Sequence, residues 1–198
     1  MKTFLRIMAL RARVRLGHPL FVLKDTKGNA AIEFALVVPI FALVFVASVD
    51  LGMLVFSRFQ LEAAVSASAS YAIAHADQVD GSNGSELAKN LALMIASNYR
   101  GDATAAIQVN NGPQASYDGA TIKIGGVSSQ ANACYCPKGN AASVEWGSQV
   151  TCNSSCPDGG RAGRYVAVTA KQAYTPFFTM FDVVKDGSIA ANAMVQTK

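Results

Sequence analysis

The chain has 198 residues, 51% of them apolar and 15% charged, with 17 basic and 13 acidic side chains, a formal net charge of +4 and a mean hydropathy of +0.25. That balance excludes a disordered chain, and at so low a charge content it points to a membrane segment. The basic excess is confined to a tail: residues 1–27 hold seven basic side chains against Asp25, leaving −2 for the rest, so a nucleic-acid-binding domain is excluded.

A basic leader, residues 1–28, opens the chain. An apolar run from Ile32 to Phe56 follows, with Glu33 and Asp50 its only charges. As a helix it spans roughly 37 Å at about 1.5 Å per residue, enough for a hydrocarbon core of about 30 Å. The bland alternative, a buried core helix, lacks a second apolar layer large enough to surround it. From Ser57 to Ala76 the chain has neither Gly nor Pro and is dominated by Ala and Ser, so the helix is predicted to continue into water. From Asn29 to Ala76 it would be roughly 70 Å long, with only about half in the bilayer. Asp80-Gly81-Ser82-Asn83-Gly84 is the first breaker.

Ser85 is read as the cap of a second helix, with Leu87, Leu91, Met94 and Ile95 on its apolar face and Glu86 and Lys89 in water. Strand-like runs come next at Ala105–Val109, Thr121–Ile124, Ser143–Trp146, Tyr165–Ala170 and Ile189–Val195. Asn110-Asn111-Gly112-Pro113, Asp118-Gly119 and Asp158-Gly159-Gly160 punctuate them. Alternation in Tyr165–Ala170 predicts one buried and one wet face. The expected fold is α+β: a long N-terminal helix on a small, mainly antiparallel sheet, with a second helix and a disulfide-stapled loop. Three parts are expected: the leader 1–28, a transmembrane half-helix 29–56 and an extracytoplasmic domain 57–198.

Basic residues precede the span, and Arg58 is the one Lys or Arg in the thirty residues after Phe56. The positive-inside rule places the N-terminus in the cytoplasm and the C-terminal domain outside. An ordinary cleaved secretory signal fits poorly, because its apolar region should be about 7–15 residues with small residues just after it.

All four cysteines, Cys134, Cys136, Cys152 and Cys156, fall within 23 residues. On the exported side an even count reads as disulfides, and a bond across Cys134–Cys136 would close a strained ring, so two bridges joining the pairs are favoured. A four-thiolate zinc site is the competing reading. Pro39 interrupts the backbone bonding of the apolar helix, either as a harmless kink or as a bend with a role. Asp50 reads as a solvated interfacial carboxylate rather than the partner of a cation on another subunit. His18 and His75 read as solvated residues without partners. Trp146, Tyr165 and Phe177 read as sheet core. Asn83-Gly84-Ser85 and Asn153-Ser154-Ser155 match the low-specificity glycosylation pattern. Walker, His-Glu-x-x-His, Gly-x-Ser-x-Gly and Rossmann patterns are missing from the sequence. No cofactor, no metal and no catalytic residue is expected.

Lys27-Gly28-Asn29-Ala30-Ala31-Ile32-Glu33-Phe34 resembles the processing site of type IV pilin-like proteins: Gly, the cut, then Glu at the fifth mature position. A carboxylate opening a membrane helix is costly, and its bland reading is an interfacial residue favoured by the helix dipole. The run from Gly28 to Pro39, the small-residue helix from Leu61 to Ala72, Tyr165–Ala170 with Tyr174-Thr175-Pro176-Phe177-Phe178, and Ile189–Val195 together resemble the TadE-like pseudopilins of tight-adherence pilus systems. The resemblance implies a minor pilin or pseudopilin in the bacterial inner membrane with a periplasmic domain, supporting adhesion and biofilm formation. Implied processing residues are Gly28, Asn29 and Glu33; implied assembly residues are Glu33 and Pro39. Implied partners are other pilins and pseudopilins, a prepilin peptidase, the assembly platform and the lipid bilayer, with no nucleic acid. An uncleaved single-pass anchor carrying an extracytoplasmic binding domain is the alternative, and an envelope enzyme is a third, disfavoured reading.

Overall fold

The protein is described from a computed structural model, which covers residues 29–98, 103–176, 184 and 187–198. The leader with His18 and Gly28, and also Phe177, lie outside the described residues. The first helix, α1, runs Asn29–Ala74 and contains Pro39. A short 3-10 turn, Ala76–Gln78, follows it, so α1 stops two residues before the expected Ala76. The chain divides into two compact units, residues 1–45 and 46–198.

In the first unit every side chain from Ala30 to Phe45 is exposed. Phe41 and Phe45, one turn apart, stack with ring centroids 6.4 Å apart. A helix apolar all round cannot be satisfied by water, and its natural surroundings are hydrocarbon or other helices. Among the described residues α1 is the one helix long and apolar enough to cross a membrane.

In the second unit α1 changes character. Leu61, Ala64, Val65, Ser68, Ala69 and Ala72 are buried, a stripe at three- and four-residue spacing. Alanine is both the best helix former and the smallest side chain that fills such a stripe, so the backbone approaches its neighbours closely. Ser68 satisfies its buried hydroxyl by donating to the Ala64 carbonyl at 2.9 Å.

The second helix, α2, spans Gly84–Asn98 and buries Leu87, Ala88, Leu91, Ala92 and Ile95 completely, with Met94 half-buried. Each fully buried Leu or Ile contributes about 1.5–3 kcal/mol. Glu86 and Lys89 stay in water as a loose pair, as expected. The cap is corrected: Ser85 lies inside the helix, and the preceding turn is organised by Asp80, whose carboxylate accepts from the Ser82 and Asn83 amides. The Asn83 amide, foremost, holds the Asp80 carboxyl below the usual carboxylate range.

The strands are β1 (Ala103–Val109), β2 (Gln114–Tyr117), β3 (Ile122–Gly125), β4 (Lys138–Asn140), β5 (Ser143–Glu145), β6 (Tyr165–Ala173) and β7 (Ser188–Gln196). Five form one antiparallel sheet in the order β3-β2-β1-β6-β7, while β4 and β5 make a separate hairpin. The register sets Ala105 opposite Ala170, Ile107 opposite Val168 and Val109 opposite Val166, all buried in one core with α2. Two strands, β2 and β4, were not anticipated. A second correction concerns β6: Val166 to Ala170 are buried without alternation. Its second face is covered by the hairpin, where the Thr169 hydroxyl donates to the Ala141 carbonyl at 3.0 Å.

At the β2–β3 turn Gly119 adopts φ +95, a left-handed value that favours glycine. Asp118 accepts from the Ala120 and Thr121 amides there. Foremost the Thr121 amide, then Lys123 at 3.1 Å, holds its carboxyl well below the usual range.

Candidate functional site

Three features outside the common core carry chemistry. The first is the N-terminal stretch of α1. Glu33 and Pro39 both sit on it with exposed side chains, among Phe34, Leu36, Ile40 and Phe41, which are also exposed. Asn29 is the first residue of α1, and Gly28 lies outside the described residues.

The second feature is a carboxylate that sequence reasoning placed in solvent. Asp50 is buried, only 8% exposed. The Tyr174 hydroxyl lies 3.1 Å from its Oδ1 and 3.0 Å from its backbone carbonyl oxygen, bridging 124 residues of sequence. A carboxylate accepting from a phenol outside bulk water forms a strong, orienting contact. Burial first, then the bond to Asp50, holds the Tyr174 hydroxyl above its ordinary pKa. Tyr174 follows the end of β6, and its own amide donates to the Gly187 carbonyl at 2.9 Å, just before β7. One tyrosine thus ties α1 to the β6–β7 end of the sheet. Its signal in the sequence was an acid within an apolar run, which calls for a polar partner.

The third feature is the cysteine lobe. Cys134 is bonded to Cys152 and Cys136 to Cys156, with Cα separations of 5.1 and 5.7 Å. The two bridges join the pairs in the way the spacing favours, and the sulfurs are not available as four thiolate ligands. Trp146 packs edge-on against Tyr135 in this lobe, at 5.9 Å between centroids, rather than in the main sheet. Tyr165 is half-buried on β6, with its hydroxyl donating to the Arg161 carbonyl.

Asn110 joins the lobe to the sheet. It is fully buried at φ +52, and its amide nitrogen donates to the Ala131 and Ala133 carbonyls at 3.1 and 2.7 Å. Arg164 reinforces the junction by donating to the Val79 and Asn132 carbonyls, each at 2.8 Å. These polar side chains each satisfy backbone carbonyls that tight turns leave unpaired.

His75 also differs from expectation. Its ring stacks on Tyr71 at 3.9 Å, and Nδ1 lies 3.0 Å from the Tyr71 carbonyl oxygen, closing the C-terminal end of α1. A cleft of about 600 Å³ lies on the outer sheet face, floored by Ala106, Ser116 and Thr169, edged by Lys123 and Lys171, and walled by Ala142 of the hairpin. Among the described residues no cluster of three or more His, Cys, Asp or Glu could hold a metal ion.

Compared with known proteins, residues 28–70 match the family model described as TadE-like protein. That interval holds the proposed cut, Glu33, Pro39, Asp50 and most of the buried Ala stripe of α1. No curated protein and no solved structure matches the chain.

Proposed function

We propose that this chain is a minor pilin or pseudopilin of a tight-adherence pilus, made as a single-pass inner-membrane precursor, trimmed after Gly28 and packed with other pilins through α1. The TadE-like match supports the pilus association, and it falls on the part of α1 where apolar side chains are exposed. The observation that carries the reading is Glu33 on that helix, five residues after Gly28 and surrounded in sequence by apolar residues. The role is structural; no reaction is assigned to the chain itself.

The mechanism is a matter of register. Phe34, Leu36, Ile40 and Phe41 make an apolar surface with little to distinguish one axial offset from another. A buried carboxylate is expensive unless a cation meets it, and the amine freed at Asn29 of a neighbouring mature subunit supplies one. Pairing Glu33 with that amine selects one offset, because every other leaves two charges unpaired. In this reading the leader stays in the cytoplasm with the peptidase and the domain from about residue 57 is periplasmic, consistent with the charge asymmetry around the span. Adhesion and biofilm formation follow from the filament, not from a site on this chain.

The test is the mass of the mature N-terminus in cells that make the matching peptidase. Loss of residues 1–28, with Asn29 leading, is expected, and Gly28→Leu should leave the precursor whole. An intact Met1 in the wild type would instead favour an uncleaved anchor carrying a binding domain.

A further inference from the structure

Beside the Asp50–Tyr174 contact, α1 and the start of β7 enclose an apolar groove of about 380 Å³. Its helical wall is Leu51, Leu54, Val55 and Arg58, a single stripe at i, i+3, i+4 and i+7. Its strand wall is Ser188, Ile189 and Ala190, with Val184 at the margin. We infer that this groove holds one acyl chain of an anionic membrane phospholipid, with the phosphate on Arg58. The inference rests on the membrane-inserted reading of α1 and adds a ligand to it.

Three observations argue for a lipid. The groove is built rather than incidental: Tyr174 fixes α1 at Asp50, and β6 fixes the strand wall through Ala173 opposite Ser188 and Gln172 opposite Ile189. Its apolar surface is unsatisfied, since Leu51 and Val55 remain 55% and 44% exposed, and the volume falls in the range of about 300–1,000 Å³ typical of small-ligand sites. Its polarity is ordered along the helix. Leu51 lies in the last part of the apolar run, and Arg58, just past the end of that run, is seven residues on, about 10 Å along the axis. A phospholipid has the same order, hydrocarbon and then phosphate.

Arg58 is suited to that end. Its Nε donates to Glu62 at 2.9 Å, which holds the guanidinium in place, while the terminal nitrogens are the ones that would engage a phosphate. A second copy of the chain is the competing occupant. The one acid beside its exposed apolar stretch, Glu33, is paired in the proposed assembly with the Asn29 amine of a neighbour, and the stretch from Phe34 to Val49 carries no charge to meet Arg58.

The experiment uses the full mature protein in nanodiscs of phosphatidylcholine with a minor share of phosphatidylglycerol. Bound lipid is counted by native mass spectrometry after gentle release. Wild type should retain one lipid per chain, enriched in phosphatidylglycerol. Val55→Trp and Ala190→Trp fill the groove from opposite walls, and each should lower retention at least about tenfold. Arg58→Ala should keep a lipid but lose the enrichment. Unchanged retention in both Trp variants, or unchanged enrichment in Arg58→Ala, overturns the proposal. Disulfide-linked dimers from Val55→Cys would put a second copy in the groove and also overturn it. Resistance to alkaline carbonate extraction is scored separately. A chain that fails to insert overturns the membrane reading, whereas one that inserts without retaining lipid overturns the groove alone.

Discussion

Residues 30–45 and residues 61–72 belong to the same helix and solve different problems. In the first stretch all side chains are exposed, and large apolar ones dominate. In the second, small apolar residues bury at every third or fourth position and Ser66, Ala67 and Ser70 stay exposed between them. The difference teaches how one helix serves two surroundings. Uniform hydrophobicity leaves direction unspecified and suits a bilayer, while a narrow stripe of Ala and Val fixes one face against one partner. The first stretch can change neighbours and the second cannot. Substitutions should therefore separate cleanly, and unfolding of the 46–198 unit is the common scale on which to rank them.

The largest loss is expected at the centre of the second unit. Leu91→Ala removes a fully buried side chain from the contact of α2 with the sheet and should cost about 2–5 kcal/mol. Denaturant unfolding followed by circular dichroism measures it, and membrane insertion should be unaffected. Replacing Cys134 and Cys152 together by Ala comes next. The bond closes a separation of 18 residues, and in the chain-entropy picture its loss costs about 3 kcal/mol. Trp146, the chain's single tryptophan, lies in that lobe against Tyr135, so its fluorescence should report the loosening first.

How far these features could be read in advance depended on how local their causes are. Both helices were legible because an apolar run and a three-to-four spacing are written into consecutive residues. β6 and β7 were legible as strands, but the burial of both faces of β6 was not, because the covering hairpin comes from residues 138–145. β2, Gln114-Ala115-Ser116-Tyr117, carries one small apolar residue and one tyrosine, too little for a strand signal; its pairing with β1 supplies the rest. β4, Lys138-Gly139-Asn140, carries no apolar residue and exists through its pairing with β5. Cysteine spacing disfavoured a Cys134–Cys136 bond, and the two cross-pair bridges agree with it. Asp50 shows the limit most clearly. Its acid character marked it in the sequence, but its partner lies 124 residues away, and no local pattern joins them.

Tyr174→Phe should have a smaller effect than either loss above. It removes one donor from a buried carboxylate while preserving the ring, a change of about 1–2 kcal/mol. A pH dependence sharpens it. A tyrosine whose pKa is raised on folding contributes stability that is complete below its unfolded value of about 10 and is lost as pH rises through the folded value. Wild type should lose stability at alkaline pH more steeply than Tyr174→Phe. Tyr165, raised by burial, contributes a slope of the same sign to both proteins and cancels in the difference. Equal slopes would remove the Asp50–Tyr174 contact from the account of how α1 is held.

Glu33→Ala should have no effect on the unfolding of the second unit, and that absence makes it the sharpest test of the comparison. Its side chain is exposed on the stretch where α1 is apolar all round. Insertion is driven by the apolar residues from Phe34 onward, and removing a carboxylate makes the run more apolar, so the variant should remain in the membrane. Assembly is the property expected to fail, because Ala leaves the amine of the neighbouring subunit without a partner and axial offsets without a distinction. Accumulation of mature protein beginning at Asn29 to the wild-type level excludes the peptidase as the cause. With that control, crosslinking to partner pilins should fall sharply while carbonate resistance and the unfolding midpoint stay fixed. Normal crosslinking and normal surface adherence would make Glu33 a passive interfacial residue, and the register mechanism would be wrong even with cleavage after Gly28 intact.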